Sequence, residues 1–303
     1  MNNGSYDVAI HTTQHAQSES EDDWELSPIV SVPFELSSDL RIDALDSETA
    51  KWILQHGDPT MSGGPHPALQ FGQRYSFIRE IRHQVGPFRW DEDSRLMRCI
   101  ALSRLVHPTS ISFRYAAHVN AGPNSHAIEI FQADLRGVSI DTFIAEPIAR
   151  DWLTEPEAAK LGQLIAMLDK RRLPERVTRA LWYHEYAART YYLEVRWPVV
   201  ATALEALIHT DRRHTTYQFV ARTSALAKHL GVSGFSESLA SQAYDHRSQI
   251  SHGQKLEDLS DELRGVYGAM ETTLRNALLR AIEDENFRET FSTDDSIRQN
   301  WKI

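Results

Sequence analysis

Secondary-structure signals change at about Thr154, and this change constrains the fold more than any other feature of the sequence. Before Thr154, short stretches of alternating polar and apolar residues predict strands separated by turns. After Thr154, the strand signals cease and the long segments place apolar residues at helical spacing. We therefore predict an α+β N-terminal domain over residues 28–150, followed by an all-α helical bundle over residues 151–283.

The N-terminal part contains a predicted β-hairpin. Apolar and polar residues alternate over residues 111–115, the turn-forming sequence NAGPNS follows, and an apolar stretch resumes over residues 127–131. A further strand is predicted at residues 75–81. Between these elements, Asp91 is a candidate cap for a helix whose apolar residues recur at helical spacing.

Prolines and glycines divide the C-terminal part into about five predicted helices. A capping box at residues 154–157 opens the first helix, which runs through Leu168. Pro174 and Pro198 mark the starts of two further helices, and Gly231 marks a helix end. The next helix runs from about Ser236 to His252 and is closed by Gly253, and the last runs from about Asp261 to Ile282. This last helix carries one apolar stripe, which is typical of a helix packed against a core.

The two ends of the chain differ from the rest. Residues 1–27 are acidic and lack periodicity, so we expect a disordered acidic leader. Residues 284–303 are assigned as a C-terminal tail, and their sequence leaves open whether they pack against the bundle. The single cysteine, Cys99, lies in an apolar-periodic stretch and is predicted to belong to the core.

Several classes of protein are disfavoured by missing patterns. No window approaches the length of apolar sequence that spans a bilayer, and the N-terminus lacks the regions of a signal peptide, so we expect a cytoplasmic protein without membrane association. Fourteen histidines invite a metal site, but no HExxH pattern occurs, and neither a P-loop nor a GxGxxG fingerprint is found. We expect no metal and no cofactor.

Charge is unevenly distributed along the chain. The formal net charge of −10 argues against a protein that coats itself with nucleic acid, because such binding depends on Lys and Arg. Residues 170–255 nevertheless carry a net charge of +6, whereas the segments before and after them are acidic. This basic region is compatible with a local contact to a polyanion, and also with ordinary solvated helix ends.

The basic region contains the sequence AYDHRSQISHG, in which Arg247 and His252 lie five residues apart in a predicted helix that ends at a glycine. Five residues turn a helix by about 500°, which leaves the two side chains about 140° apart around its axis. They therefore converge only if the last turn opens, or if each faces a site completed by a second copy of the chain. Three apolar positions of this helix are predicted to share its buried face: Leu239, Ala243 and Ile250.

Both residues also have a purely structural interpretation. Arg247 borders the predicted buried face, and an unpaired buried charge is costly, so it needs a partner or an opening. Glu205, a lone acid within the apolar run ALEALI, is a candidate ion-pair partner. His252 lies at the end of its helix, where a cation interacts favourably with the helix dipole.

Four segments occur in order along the C-terminal half: RALWYHEYAAR from Arg179, VVATALEALI from Val199, QFVART from Gln218 and AYDHRSQISHG from Ala243. Together they resemble the Apea-like branch of the HEPN domains (higher eukaryotes and prokaryotes nucleotide-binding), small helical bundles whose signature is an Arg followed a few residues later by a His. The resemblance covers about residues 175–283. It is most specific at the last segment, where Tyr244 and Asp245 precede the arginine and a glycine follows the histidine.

The resemblance implies a metal-independent endoribonuclease that acts as a homodimer, with the Arg and His of both subunits meeting at the interface. Arg247 would bind the scissile phosphate, and His252 would act as general base or acid in attack by the RNA 2′-hydroxyl. Tyr244 and Asp245 would support the site. Many nuclease members place Asn, Asp or His directly after the arginine, whereas this chain has Ser248, which can also donate a hydrogen bond.

Such domains occur in toxin and anti-phage defence systems, so the resemblance also implies RNA as substrate and an antitoxin or other partner protein as a possible regulator. Tyr183, Tyr186 and Arg189 are weaker candidates for RNA contacts, because aromatic residues can stack on bases but more often belong to a core. The alternative function is a non-catalytic binding or scaffold module, in which Arg247 pairs with Glu205 and His252 only caps its helix.

Overall fold

A computed structural model of the chain describes residues 5–12, 30–44, 74–81, 95–108, 113–122, 125–132, 153–190, 193–254 and 261–302. The chain divides into two compact units, one with residues 1–137 and 149–166, the other with residues 138–148 and 167–303. The first unit contains a β-sheet and helices, and the second is helical. The predicted order, a mixed part before a helical part, is confirmed.

The first unit contains a six-stranded sheet in which every pair of neighbours is antiparallel. Its strands are β1 (Ser5–Thr12), β2 (Phe34–Ser37), β3 (Leu40–Ala44), β4 (Arg74–Ile81), β5 (Phe113–Gly122) and β6 (Ser125–Gln132). Their order across the sheet is β2-β3-β4-β1-β5-β6. The predicted strand at residues 75–81 and the predicted hairpin are therefore confirmed, whereas the sequence did not predict β1, β2 or β3.

Strand β1 contradicts the prediction of a disordered leader over residues 1–27. It lies inside the sheet, because β4 pairs with one of its edges and β5 with the other. Val8 is opposite Ile78 on one side and Ala117 on the other, and its side chain is fully buried. A strand paired on both edges satisfies its backbone groups through long-range partners, which local composition does not reveal. The other residues of the predicted leader lie outside the described ones.

Helix α1 (Arg95–Val106) also belongs to the first unit and supplies much of its core. Cys99 is buried there, as predicted, and burial raises the pKa of its thiol above the usual range. Asp91, the predicted cap of this helix, lies outside the described residues.

Eight further helices follow in the described part of the chain. They are α2 (Glu155–Lys170), α3 (Glu175–Arg189), α4 (Leu193–Ile208), α5 (Thr215–His229), α6 (Glu237–Ser251), α7 (Asp261–Glu283), α8 (Glu285–Glu289) and α9 (Asp294–Asn300). The apolar stripe predicted for α7 is buried at Val266, Met270, Leu274, Leu278 and Ile282. None of the described helices is both long and apolar enough to cross a membrane.

Helix α2 packs with the sheet, although the sequence boundary at residue 151 predicted that it would belong to the helical bundle. Its capping box forms as predicted, since the Thr154 N–H and hydroxyl both donate to Glu157 Oε2 at 2.8 Å. Gly162 lies so close to β2 that an added Cβ would be 3.0 Å from the carbonyl oxygen of Leu36. The first unit therefore includes α2 as far as residue 166.

Helix α4 begins five residues before Pro198, which the sequence analysis predicted to be a helix start. Pro198 lies inside the helix and lacks the N–H that would bond to the preceding turn. The turn before it is held by tertiary contacts, because Trp197 is fully buried and Arg196 Nη2 donates to the carbonyl of Ala188 at 3.1 Å. These contacts outweigh the local preference of proline for a first turn.

Residues 284–303, assigned from sequence as a tail, contain α8 and α9 and pack back onto the helical unit as far as they are described. Phe291 and Ile297 are fully buried. Trp301 packs against Phe291 at 6.0 Å between ring centroids and against His229 of α5 at 5.4 Å. An aromatic cluster therefore anchors the end of the chain.

Candidate functional site

The candidate site lies on α6, whose ends form as the sequence predicts. Ser236 is the N-cap, and its hydroxyl accepts a hydrogen bond from the N–H of Leu239. At the other end, the N–H of Gly253 donates to the carbonyl of Ile250 at 2.9 Å, and that of Gln254 donates to the carbonyl of Gln249 at 3.0 Å. This is a Schellman motif, and it requires the left-handed φ of 78° that Gly253 adopts.

The buried face of α6 differs slightly from the predicted one. Its buried residues are Ala240, Ala243 and Tyr244. Leu239 and Ile250, which the sequence placed on this face, are only half-buried. Arg247 follows Ala243 and Tyr244 by one turn, so it borders the buried face as predicted.

Within the described residues, two contacts hold the side chain of Arg247. Its Nη2 donates to Glu205 Oε2 of α4 at 2.9 Å, and its Cζ lies 5.4 Å from the ring centroid of Tyr244. The side chains of Arg247 and Glu205 are 28% and 13% exposed, so the ion pair lies at the boundary between core and solvent. Glu205 occupies one of the five guanidinium N–H donors, and the solvent-facing part of Arg247 remains accessible to an anion.

Trp197 of α4 fixes α6 from the core side. Its Nε1 donates to the carbonyl of Ala243 at 2.9 Å. Ala243 precedes Arg247 by one turn of α6. Its ring contacts His246 edge-on at 5.2 Å and lies 5.7 Å from the ring of Tyr267. Sequence analysis did not single out Trp197, because no local signal pairs a core tryptophan with a carbonyl group 46 residues later.

His252 is the C-cap residue of α6, and its side chain is exposed. Its backbone N–H donates to the carbonyls of Ser248 and Gln249, both at 3.1 Å. Among the described residues, its imidazole makes no hydrogen bond or ion pair, and therefore none with Arg247. Within one chain, the structure thus places both residues in the last turns of α6 without joining them.

The remaining predicted site residues have different environments. Tyr244 is buried, and its hydroxyl donates to Thr215 Oγ1 at 3.2 Å, whereas Ser248 is half-buried and Asp245 is exposed. Of the weaker candidates, Tyr183 is half-buried and Tyr186 is exposed. The side chain of Arg189 lies outside the described residues. Of the predicted site residues that the structure describes, Tyr244 and Glu205 contact the guanidinium of Arg247.

Sequence analysis also missed a buried polar pair that joins α3 to α7. His184 Nε2 donates to Glu271 Oε1 at 3.1 Å, and both side chains are largely buried. Burial alone raises the pKa of Glu271, but the hydrogen bond and charge of His184, together with the charges of Arg275 and Arg196, lower it below its usual range. The ionised form of Glu271 is therefore the one that the folded state stabilises.

This pair predicts how stability depends on pH. A carboxyl group with a lower pKa in the folded state stabilises the fold above its unfolded pKa of about 4.3, and this contribution disappears as the pH falls through the folded pKa. Replacing Glu271 with Gln is therefore expected to reduce the loss of stability below about pH 4, measured as the urea midpoint at a series of pH values. Glu237→Gln, at an exposed acid on α6, is the control and should follow the wild type. If the urea midpoint of Glu271→Gln falls below about pH 4 as steeply as that of the wild type, Glu271 does not stabilise the fold in its ionised form.

The described residues contain no group of three or more His, Cys, Asp and Glu side chains placed to hold a metal ion. The candidate site consists of a partly exposed arginine side chain, held by a carboxylate and a tyrosine ring, and an exposed imidazole at the end of the same helix. Comparisons with protein-family models, with curated proteins and with solved structures find no match to this chain.

Proposed function

We propose that the protein is a metal-independent endoribonuclease of HEPN type that acts as a homodimer. The observation that carries this proposal is the placement of a solvent-accessible Arg247 and an exposed His252 on the last turns of one helix. Such a pair supplies an anion-binding cation and a proton-transfer group without a metal. The helical unit and the resemblance of residues 175–283 to Apea-like HEPN domains agree with this proposal.

The proposed reaction is an intramolecular transesterification at the phosphodiester. His252 of one subunit takes the proton of the RNA 2′-hydroxyl, and the 2′-oxygen forms a bond to the adjacent phosphorus. The bond from phosphorus to the 5′-oxygen breaks, and that oxygen receives a proton from a second imidazole or from water. Arg247 binds the phosphate and stabilises the charge that develops on it. The products are a 2′,3′-cyclic phosphate and a 5′-hydroxyl end.

A homodimer fits the geometry of α6. The α-carbons of Arg247 and His252 are separated by about 7.5 Å along the axis and about 140° around it, so the two residues point to different sides of one helix. A second copy, related by a two-fold axis, brings the His252 of one chain to the Arg247 of the other while repeating the same contact. Each phosphate would then lie between residues of two subunits.

Three neighbouring residues have supporting roles in this proposal. Glu205 orients the guanidinium of Arg247, and the ring of Tyr244 supports its cationic face. Ser248 follows the arginine and supplies a hydroxyl donor near the phosphate. Asp245, which is exposed, is carried over only from the resemblance.

The test is incubation of the purified full-length protein with end-labelled RNA in excess EDTA. The expected result is cleavage to fragments with 2′,3′-cyclic phosphate ends, and no cleavage of DNA of the same sequence, since DNA lacks the nucleophile. Arg247→Ala is expected to abolish cleavage, whereas Gln249→Ala, at an exposed position of the same helix, should retain it. Cleavage that requires a divalent metal, or that persists in Arg247→Ala, would overturn the proposal.

The wider context follows from the same proposal. The HEPN-like part would cut RNA, while the sheet-containing unit would select a target or sense a signal. A cytoplasmic toxin or anti-phage defence system, restrained by an antitoxin or another partner protein, is the setting that this combination suggests.

The Arg247–Glu205 ion pair favours a second candidate function, a non-catalytic binding or scaffold module. Here the pair would only join α4 to α6, and His252 would only end its helix. A double-mutant cycle with Arg247→Ala and Glu205→Ala measures the coupling directly. Because the pair is partly shielded from solvent, we expect a coupling free energy of about 1–2 kcal/mol by urea unfolding.

The two functions are separated by comparing stability with cleavage. A scaffold predicts that both single variants lose stability and that the wild-type protein leaves RNA intact. The endoribonuclease predicts cleavage that Arg247→Ala abolishes even under conditions where the variant is fully folded by circular dichroism. A coupling below about 0.5 kcal/mol would remove the structural argument for the scaffold.

A further inference from the structure

We propose that the turn between α4 and α5 forms an RNA-binding surface next to Arg247, in which Arg212 and Arg213 bind backbone phosphates and Tyr217 stacks on a base. This inference deepens the proposed function and rests on it for the identity of the ligand. The surface, called the α4–α5 surface below, consists of residues 211–214 and Tyr217. All of these side chains are exposed.

The backbone of this turn is held by side chains from several helices. Five carbonyl groups in residues 208–213 accept such hydrogen bonds. Those of Ile208 and His209 accept from Arg222 at 2.9 Å and from Arg176 at 2.7 Å, that of Thr210 accepts from Arg298 at 3.4 Å, and those of Asp211 and Arg213 accept from Gln218 at 3.4 Å and 2.6 Å. Arg222 and Gln218 are themselves buried. Because these hydrogen bonds fix the backbone of the turn, less conformational entropy is lost when its exposed side chains bind a ligand.

Arg212 and Arg213 differ from most arginines of the helical unit. Several others pair with a carboxylate: Arg171 with Glu285, Arg176 with Asp294, Arg247 with Glu205, Arg280 with Asp284 and Arg298 with Asp295. Within the described part of the chain, the guanidinium groups of Arg212 and Arg213 make no hydrogen bond or ion pair. Two adjacent unpaired guanidinium groups are well suited to phosphate, which each can bind through two parallel hydrogen bonds.

The described acidic groups near the turn already form hydrogen bonds or ion pairs within the protein. Asp211 Oδ1 accepts a hydrogen bond from the backbone N–H of Arg213 at 2.6 Å, so this carboxylate stabilises the turn. Asp294 and Asp295 of α9 form the ion pairs with Arg176 and Arg298 described above. The two free guanidinium groups therefore dominate the charge that the turn presents to a ligand.

Tyr217 supplies the second type of contact. Its side chain is 61% exposed, although α5 buries other residues such as Phe219 completely. This ring follows the two free arginines by four and five residues. Exposed aromatic rings and free arginines on one surface are typical of proteins that bind single-stranded nucleic acid, in which bases stack on the rings and the cations bind the phosphates. Because a base in a duplex has no free face, this arrangement favours single-stranded RNA.

The α4–α5 surface is connected to the candidate site. Thr215 follows the turn directly, and its Oγ1 accepts the hydrogen bond from the hydroxyl of Tyr244 at 3.2 Å. The ring of that same tyrosine lies under the guanidinium of Arg247. One tyrosine therefore spans the distance between Arg247 and the start of α5, so a short RNA strand bound at Arg247 can extend over the turn.

The experiment measures binding of a fluorescein-labelled 2′-O-methyl RNA of about 12 nucleotides, a length within the usual range of single-strand sites. This RNA lacks the nucleophilic hydroxyl, so binding is measured without cleavage. Anisotropy titrations over a series of salt concentrations would compare the full-length wild type with Arg212→Ala/Arg213→Ala and with Tyr217→Ala. The matched control is Lys170→Ala/Arg172→Ala, which removes two exposed cations, one at the end of α2 and one in the connection to α3.

The salt slope is the steepness with which the logarithm of the binding constant falls with the logarithm of the salt concentration. We expect the double arginine variant to lower this slope by about 1.4, because each phosphate contact with a single strand contributes about 0.7. Tyr217→Ala should weaken binding at least about fivefold, the lower end of the effect of one stacked base. The control should bind as the wild type does. Circular dichroism of each variant establishes that the fold is retained, which is expected because the substituted side chains are exposed.

The outcomes separate this inference from the proposed function. If the wild type cleaves RNA but the double arginine variant binds as tightly and with the same salt slope, the inference is overturned and the nuclease stands. If the wild type binds through the α4–α5 surface but never cleaves, the inference stands and the nuclease fails. If the wild type does not bind this RNA, or if the control loses affinity equally, the inference fails; binding of an acidic protein by the same surface would then identify its occupant.

Discussion

Replacing His252 with alanine is expected to reduce the rate of RNA cleavage by about 10²- to 10⁴-fold, the usual contribution of a positioned acid or base. The side chain is exposed and, within the described residues, makes no hydrogen bond or ion pair, so its removal leaves the packing of α6 unchanged. The rate is measured under single-turnover conditions in EDTA, with RNA of uniform sequence. The free energy of unfolding should stay within about 0.5 kcal/mol of the wild-type value, as for other surface substitutions.

Two further measurements distinguish proton transfer by His252 from a structural role. Because the alanine variant leaves an open position at the surface, added imidazole should restore part of the rate. The pH dependence of the wild-type rate should also weaken in the variant, since the variant lacks the group that exchanges the proton in the reaction. If His252→Ala cleaves RNA as fast as Gln249→Ala does, His252 is not the proton-transfer group.

The second large effect is expected at Trp197. Replacing this fully buried residue with alanine should lower the free energy of unfolding by about 3–5 kcal/mol, because a large cavity forms between α4, α6 and α7. Trp197→Phe keeps most of the ring volume but loses the hydrogen bond to the carbonyl of Ala243, and should cost about 1–2 kcal/mol. Urea unfolding followed by far-UV circular dichroism measures both values.

This substitution also tests how α6 is positioned. Because Trp197 contacts the turn that carries Arg247, Trp197→Phe should lower RNA cleavage more than it lowers RNA affinity, under conditions where the variant is folded. Val195→Ala, at an exposed position of the same helix, is the control and should change neither stability nor cleavage appreciably. A cost below about 1 kcal/mol for Trp197→Ala would contradict the assignment of Trp197 to the core.

Local patterns were sufficient to predict the helix that carries the candidate site. Ser236 and Gly253 mark its ends because a hydroxyl acceptor and a left-handed residue satisfy backbone groups within a few residues of each other. The capping box at Thr154 and the glycine end at Gly231 are confirmed for the same reason. Each of these signals acts over a single turn of helix.

Some elements held by distant partners were not predicted correctly. Strand β1 lies in an acidic segment that composition marks as disordered, yet two neighbouring strands pair with it. Pro198 marks a helix start by propensity, but burial of Trp197 extends α4 in front of it. In both cases, long-range packing and hydrogen bonding outweigh the local preference.

The sequence by itself determined which side chains α6 carries, where that helix ends, and that Arg247 borders its buried face. Glu205 could be named as a partner of Arg247 because it is a lone acid within an apolar run, whereas Arg247 borders a buried face and needs a partner. Only the tertiary structure decided that the two meet, 42 residues apart in sequence, and that Trp197 and Tyr244 join the helix to α4 and to the start of α5. The reason is physical: caps and periodicity depend on neighbours within one or two turns, whereas a site depends on how separate helices pack against each other.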